Sequence, residues 1–259
     1  MTDPVVLFSI DAGVASITLN RPSFGNAMSL EVMESLLQSL RDAESHADCH
    51  VVVLRGAGRV FCGGGDLNDL SRAATDDALK QRMVTALQDA MFAFAASRLV
   101  VIAAVGGAAA GAGLGLVLNC DIVLASTRAS FLGAYGAIGL TPDAGLSYLL
   151  PTAIGRARAS AMVLTGAVVG AADAQAWGLV WEVLEPDALD ARADELAARL
   201  VAGPTQVLAA TKRLLGAPAL AGYRAHLDDE AQSITSYAAH PDTQKRIRAL
   251  IEKASKAGT

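Results

Sequence analysis

Cysteine is scarce in this chain of 259 residues: Cys49, Cys62 and Cys120 form no CxxC pair, and an odd number fits no closed disulfide set. No charged-then-apolar stretch of the secretory kind is read at its start, so reduced thiols and a cytoplasmic location are expected. Histidine is also sparse. His46, His50, His226 and His240 give neither HExxH nor a zinc-like Cys/His spacing, and no metal is implied. Basic residues form no block, and 21 Lys and Arg against 26 Asp and Glu leave a net charge of -5, which argues against nucleic acid as a partner. One uncharged run, Leu99 to Cys120, is long enough to cross a bilayer and holds GxxxG spacings at Gly107/Gly111 and Gly111/Gly115. About half of it is Ala and Gly, which contribute little to transfer into lipid. A strand feeding a close-packed helix is expected there, and no membrane partner.

What is present is apolar material in regular alternation. Apolar residues make up 53% of the chain, enough for a substantial core. "VVLFSI" and "VASITLN" read as paired strands around Gly13. Leu30, Met33, Leu36, Leu37 and Leu40 then fall at helical spacing behind a capping Ser29. Strand "VVVLRG", a helix over 75–96, strand "VVIAAV", a Gly/Ala-rich helix near 111–119 and short strands "DIVLAS" and "ASFL" follow. Alternating strands and helices predict an α/β fold. Beyond Pro142 the pattern predicts helices over 142–153, 156–164, 171–178, 187–202, 204–215, 219–238 and 242–255. We read a core over 1–203 and a helical C-terminal region over 204–259, packed on its own core or on a neighbouring subunit.

Three stretches could carry chemistry. In "GRVFCGGGDL" (58–67) three glycines follow a strand, and such a turn either presents backbone N–H groups to an anionic oxygen or is a flexible loop. "VGGAAAGAGLGL" (105–116) opens a helix, but its glycines do not form GxGxxG and no GK[ST] is present. It offers helix N-terminal amides to a negative group, or small residues for tight packing. Two amide-presenting turns suggest a paired oxyanion hole, where losing one donor typically costs about 3 kcal/mol. The third is "GLTPDAG" (139–145). Between Arg128 and Arg156, Asp143 is the only ionisable acid or base apart from Tyr135 and Tyr148. Thr141 can cap a helix there, with Pro142 in its first turn and Asp143 on its dipole; equally, Asp143 can be an acid-base group held away from water.

In order along the chain, "NRPSFGNAMS", "VVLRGAGRVFCGGGDL", "VIAAVGGAAAGAGLGLVLNCDIVLAS", "GLTPDAGLSYLLPTAIGRARASAMVLTG" and "DAQAWGLVWEV" resemble signatures of the crotonase superfamily, the enoyl-CoA hydratases and isomerases. The resemblance covers roughly residues 5–215. It implies a ββα superhelix whose C-terminal helices shield the site and build a homotrimer or dimer of trimers. It implies an acyl-CoA thioester as substrate, in fatty-acid or phenylacetate breakdown, with no cofactor beyond the coenzyme A that belongs to the substrate. Carried over by position, the amides of Gly65 and Ala112 hold the thioester oxygen, and Ala112 departs from the usual glycine. Coenzyme A contacts fall near Ser23, Phe24, Ala27, Gly63, Asp66 and Leu67, with Asp66 also suited to holding its own turn.

Hydratases of the family place two glutamates where this chain has Gly115 and Tyr135. Glycine cannot transfer a proton, and a neutral tyrosine is a weak base, so hydration is disfavoured. By its family position Tyr135 is instead expected to border the acyl pocket, or equally to serve in plain packing. The acid appears at Asp143, as in branches that include ring-epoxide isomerases of 1,2-epoxyphenylacetyl-CoA and haloaryl-CoA dehalogenases. An isomerase with Asp143 as proton carrier is therefore expected, ahead of a hydratase, a hydrolase or dehalogenase, or a silent acyl-CoA-binding protein. Cys62 reads as an apolar filler, Asp121 as a buried structural acid with a backbone partner, and Lys245, Arg246, Arg248, Lys253 and Lys256 as a solvated face or a contact for coenzyme A phosphates.

Overall fold

The computed structural model describes residues 3–257. Strands β1 (Val6–Asp11) and β2 (Val14–Leu19) form an antiparallel hairpin, and helix α1 (Leu30–Ser45) follows, capped by Ser29, whose side chain accepts the Val32 N–H at 3.3 Å. Its buried face carries Met33, Leu36, Leu37 and Leu40, and fully burying a leucine is worth about 1.5–3 kcal/mol.

From there strands alternate between two sheets before each helical segment. Strands β3 (Val51–Gly56) and β4 (Val60–Cys62) precede α2 (Leu67–Ala73) and α3 (Asp77–Ala96). Next, β5 (Val100–Val105) and β6 (Ala108–Ala110) precede α4 (Ala112–Leu118), and β7 (Ile122–Ser126) and β8 (Ser130–Leu132) precede α5 (Leu146–Ile154) and α6 (Arg156–Thr165). A short β9 (Val169–Gly170), α7 (Ala171–Trp177), β10 (Glu182–Leu184), α8 (Leu189–Val201), α9 (Thr205–Ala238) and α10 (Pro241–Ala257) complete the order. One sheet runs β1-β2-β3-β5-β7-β10, parallel from β2 onward, and the other runs β4-β6-β8-β9. This is a spiral of ββα units.

The uncharged run from Leu99 is explained by β5, buried along its whole length. Val101, Ala103 and Val105 face the main core, while Val100, Ile102 and Ala104 face α8 through Leu189, Ala193 and Leu196. A parallel strand covered on both faces reads as continuous apolar sequence. Among the described residues no helix is long and apolar enough to cross a membrane.

Several boundaries differ from expectation. The helix expected from 142 begins at Leu146, with Gly145 at its cap position; Thr141 caps nothing, and its buried Oγ1 has no hydrogen-bond partner. The two helices expected over 204–215 and 219–238 are one, α9, which runs through Pro218. Helix α2, unread in the sequence, starts on Asp66, whose Oδ1 accepts the N–H groups of Asn68 and Asp69. Asp121 is not a buried acid: it sits partly exposed, accepting from Val101 N–H and from Lys212, both at 2.7 Å. Helix α9 packs on the chain's own core through Tyr223, Leu227 and Ile234.

Candidate active site

The parallel pairing of β4 with β6 sets the turns that follow them side by side. Gly65 and Ala112, one from each turn, line a single cavity of about 260 Å³. Among the described residues, neither amide donates to a protein acceptor. Gly111 takes a positive φ of +51° with ψ of −123° at this corner, a conformation open chiefly to glycine, so Ala112 enters the helix without strain and presents its N–H as glycine would. Gly63 and Leu67 also line the cavity.

Asp143 and Tyr135 stand on the same cavity wall. The Tyr135 hydroxyl donates to Asp143 Oδ1 at 2.7 Å. Part of the Asp143 surface stays open, but that surface faces the cavity, and protein encloses the carboxyl on its other sides. Burial pushes its pKa up to about 7; the Tyr135 hydrogen bond pulls it down and the charge of Glu230 pushes it up again. Burial, then the Asp143 charge, holds the Tyr135 phenol well above its usual value. Tyr135 is therefore a hydrogen-bond donor to Asp143 and not a base.

The turn carrying Asp143 is clamped from two helices. Ala144, in the left-handed region at φ +57°, lies over Gly115 so closely that a Cβ on Gly115 would sit 2.5 Å from the Ala144 Cβ. Asn119 at the end of α4 donates from Nδ2 to the Ala144 carbonyl at 3.2 Å and accepts the Tyr223 hydroxyl at 2.7 Å. On the other side, Glu230 of α9 is buried and accepts Gly145 N–H at 2.7 Å, Ser147 N–H at 2.9 Å and the Ser147 hydroxyl at 2.5 Å. Ser147 Oγ in turn lies 2.8 Å from His226 Nε2.

Glu230 also lines the cavity, and nothing in its sequence surroundings, "LDDEA" (227–231), sets it apart from the acids beside it. Tyr223 was missed likewise. Ser23, Phe24, Ala27 and Asp66 are not among the residues that line the cavity. Gly63 N–H donates to Gly25 O at 2.8 Å, which ties the segment holding Ser23, Phe24 and Ala27 to the glycine turn. Phe24 is exposed, with the Arg21 guanidinium 4.8 Å from its ring centre. Asp66 does not reach the cavity, because its Oδ2 is held by Arg21 at 2.9 Å and its Oδ1 caps α2. The Cys62 thiol is fully buried and pushed up to about 12 by that burial, so it is no nucleophile at neutral pH. Lys245, Arg246, Arg248 and Lys253 are exposed on α10, and the Lys256 side chain lies outside those described.

A family of enoyl-CoA hydratases and isomerases matches residues 9–257. The chain belongs to that family. It is 34% identical over 252 residues to the 1,2-epoxyphenylacetyl-CoA isomerase of Escherichia coli K12, covering 96% of each chain. It is 35% identical over 253 residues to a probable enoyl-CoA hydratase of Rhodobacter capsulatus, covering 98% of this chain and 97% of that one. Its fold matches the crystal structure of an enoyl-CoA hydratase from Mycobacterium avium subsp. paratuberculosis K-10 with a TM-score of 0.87 at 32% identity over 96% of both chains. The crotonase fold expected from the motifs is the fold of this chain, and relatives named for isomerisation and for hydration are both similar to it.

Proposed function

We propose that the chain is an acyl-CoA isomerase in which Asp143 moves a proton between two carbons of the bound acyl group. The amides of Gly65 and Ala112 hydrogen-bond the thioester oxygen and stabilise the charge that develops as the neighbouring carbon loses its proton. For a 3-enoyl thioester, Asp143 takes a proton from C2, electrons delocalise onto the held oxygen, and the same carboxyl returns a proton to C4. Atoms and charge balance with no added water or cofactor. A carboxyl with a pKa of about 7 suits both halves of that shuttle near neutral pH.

One observation carries the preference for isomerisation. Asp143 shares the cavity wall with the two amides, and the other acid there, Glu230, is taken up by Gly145 and Ser147, while the positions of the hydratase glutamates hold Gly115 and Tyr135, and Gly115 has no room for a side chain. The wall is otherwise largely apolar, with Met28, Met33, Leu70, Met83 and Leu227 among its residues, which supports an aliphatic or aromatic acyl group without a polar tail. Coenzyme A would run past Gly63 and Leu67 toward Ser23, Phe24 and Ala27, and Asp66 would serve it by holding the turn. Assembly as a homotrimer or dimer of trimers belongs to the same proposal; exposed Leu164, Leu214 and Leu215 support it as apolar surface open to contact.

The test is to incubate the protein separately with 3-enoyl-CoA and 2-enoyl-CoA, reading water addition by mass and double-bond position by proton NMR. The expected result is a shift of the double bond without mass change. Rapid gain of water by the 2-enoyl thioester, with the 3-enoyl thioester untouched, would establish a hydratase instead.

A further inference from the structure

We propose that Glu230 is a positioning residue: it caps α5 in place of Asp143 and leaves the Asp143 carboxyl turned into the cavity beside a second negative charge. The inference rests on Asp143 being the proton carrier.

The first amides of a helix need an acceptor, and a carboxylate in the same stretch of chain usually provides it. Here Thr141 and Asp143 stand just before α5, and neither side chain accepts from its amides. Glu230 reaches across from α9 and takes Gly145 N–H and Ser147 N–H, one on each oxygen. The positive end of the α5 dipole therefore acts on Glu230, where it stabilises negative charge. Were Asp143 to turn back and cap the helix itself, those donors would stabilise its charged form and weaken it as a base.

A carboxylate left fully buried without partners would be costly, but this one accepts three hydrogen bonds, the third from the Ser147 hydroxyl. The titratable groups packed around the turn are Tyr135, Tyr148 of α5, Tyr223, His226 and Glu230 of α9, and Arg246 of α10 near Gly139. Lys80 of α3 lines the cavity but is paired with Asp77. No cation among them is bonded to Asp143, so the Glu230 charge, softened by its three hydrogen bonds and by His226 at 3.8 Å when that ring is protonated, is the nearest charge acting on it. The direction agrees: Glu230 pushes the Asp143 titration upward.

The experiment is carboxyl carbon NMR of the ligand-free protein labelled at aspartate, with the Asp143 signal assigned by its loss in Asp143→Asn. In Glu230→Gln the Asp143 titration should fall by about one pH unit or more, and the limb of kcat/KM should move down with it, with KM changed less than kcat. In Glu230→Asp, which keeps the charge, the titration should remain nearer the wild-type value; this variant carries the test if Glu230→Gln does not fold. Reduced turnover with an unmoved titration would mean that Glu230 only supports the fold and would overturn the proposal, as would an equal fall in both variants. Because the titration is read without substrate, a moved titration in a protein that isomerises nothing would sink the proposed activity and leave the role of Glu230 standing.

Discussion

Asp143→Asn is expected to lower kcat for double-bond transfer by about 10²–10⁴-fold, the usual worth of a positioned general acid or base. Acyl-CoA affinity should change little, since asparagine has the same shape and its oxygen can still accept the Tyr135 hydroxyl now bonded to Asp143 at 2.7 Å. The same variant has a stability signature of known sign. Burial raises the Asp143 carboxyl to about 7, against about 3.9 in an unfolded chain. Stability from that raised value is fully present below pH 4 and is lost as pH rises through 7, where the folded state must carry a buried charge. Asparagine never ionises. Relative to wild type it should therefore gain on the order of 2–4 kcal/mol between pH 4 and pH 8, read from melting curves at the two values. Equal melting shifts at both would mean that Asp143 is not held in an environment hostile to charge.

The second large effect is expected at Gly115→Ala. A Cβ there meets the Ala144 Cβ at 2.5 Å and the Ala144 carbonyl oxygen at 2.8 Å. Ala144 cannot retreat freely, because its carbonyl is held by Asn119 and the next residue, Gly145, packs against the Tyr223 ring. Overpacking of this kind costs about 1–3 kcal/mol. The turn should yield, carrying Asp143 with it, and a displacement of about 1 Å at a reacting group can cost about 100-fold in rate. Turnover and melting temperature measured together check this. Near-wild-type values for both would show that the 143–145 turn is softer than its contacts imply. The same crowding explains why a glutamate at 115 is incompatible with this turn.

How far the sequence could be read follows from where each contact lies along the chain. Ser29 and the leucines of α1 are local features, and the structure has them as expected. The two glycine corners were legible because each follows a strand, and the isolated charge of Asp143 stood out against its surroundings. What stayed hidden was long-range. The start of α5 was misplaced because Thr141-Pro142-Asp143 is a good local cap, and only Glu230, 85 residues beyond Gly145, takes that role away. Tyr223 was invisible for the same reason, its bond to Asn119 spanning 104 residues. Gly115 could be read as a missing acid, but that Ala144 fills the space follows only from packing.

The central claim is that Asp143 and the amides of Gly65 and Ala112 act on one substrate. Deuterium uptake from heavy water at the carbon beside the thioester of a saturated acyl-CoA tests it most directly, since no double bond, water addition or leaving group is involved. Wild type should take up deuterium at a rate that climbs as pH passes through about 7 and then levels, and Asp143→Asn should show none above background. Undiminished exchange in Asp143→Asn would contradict the account.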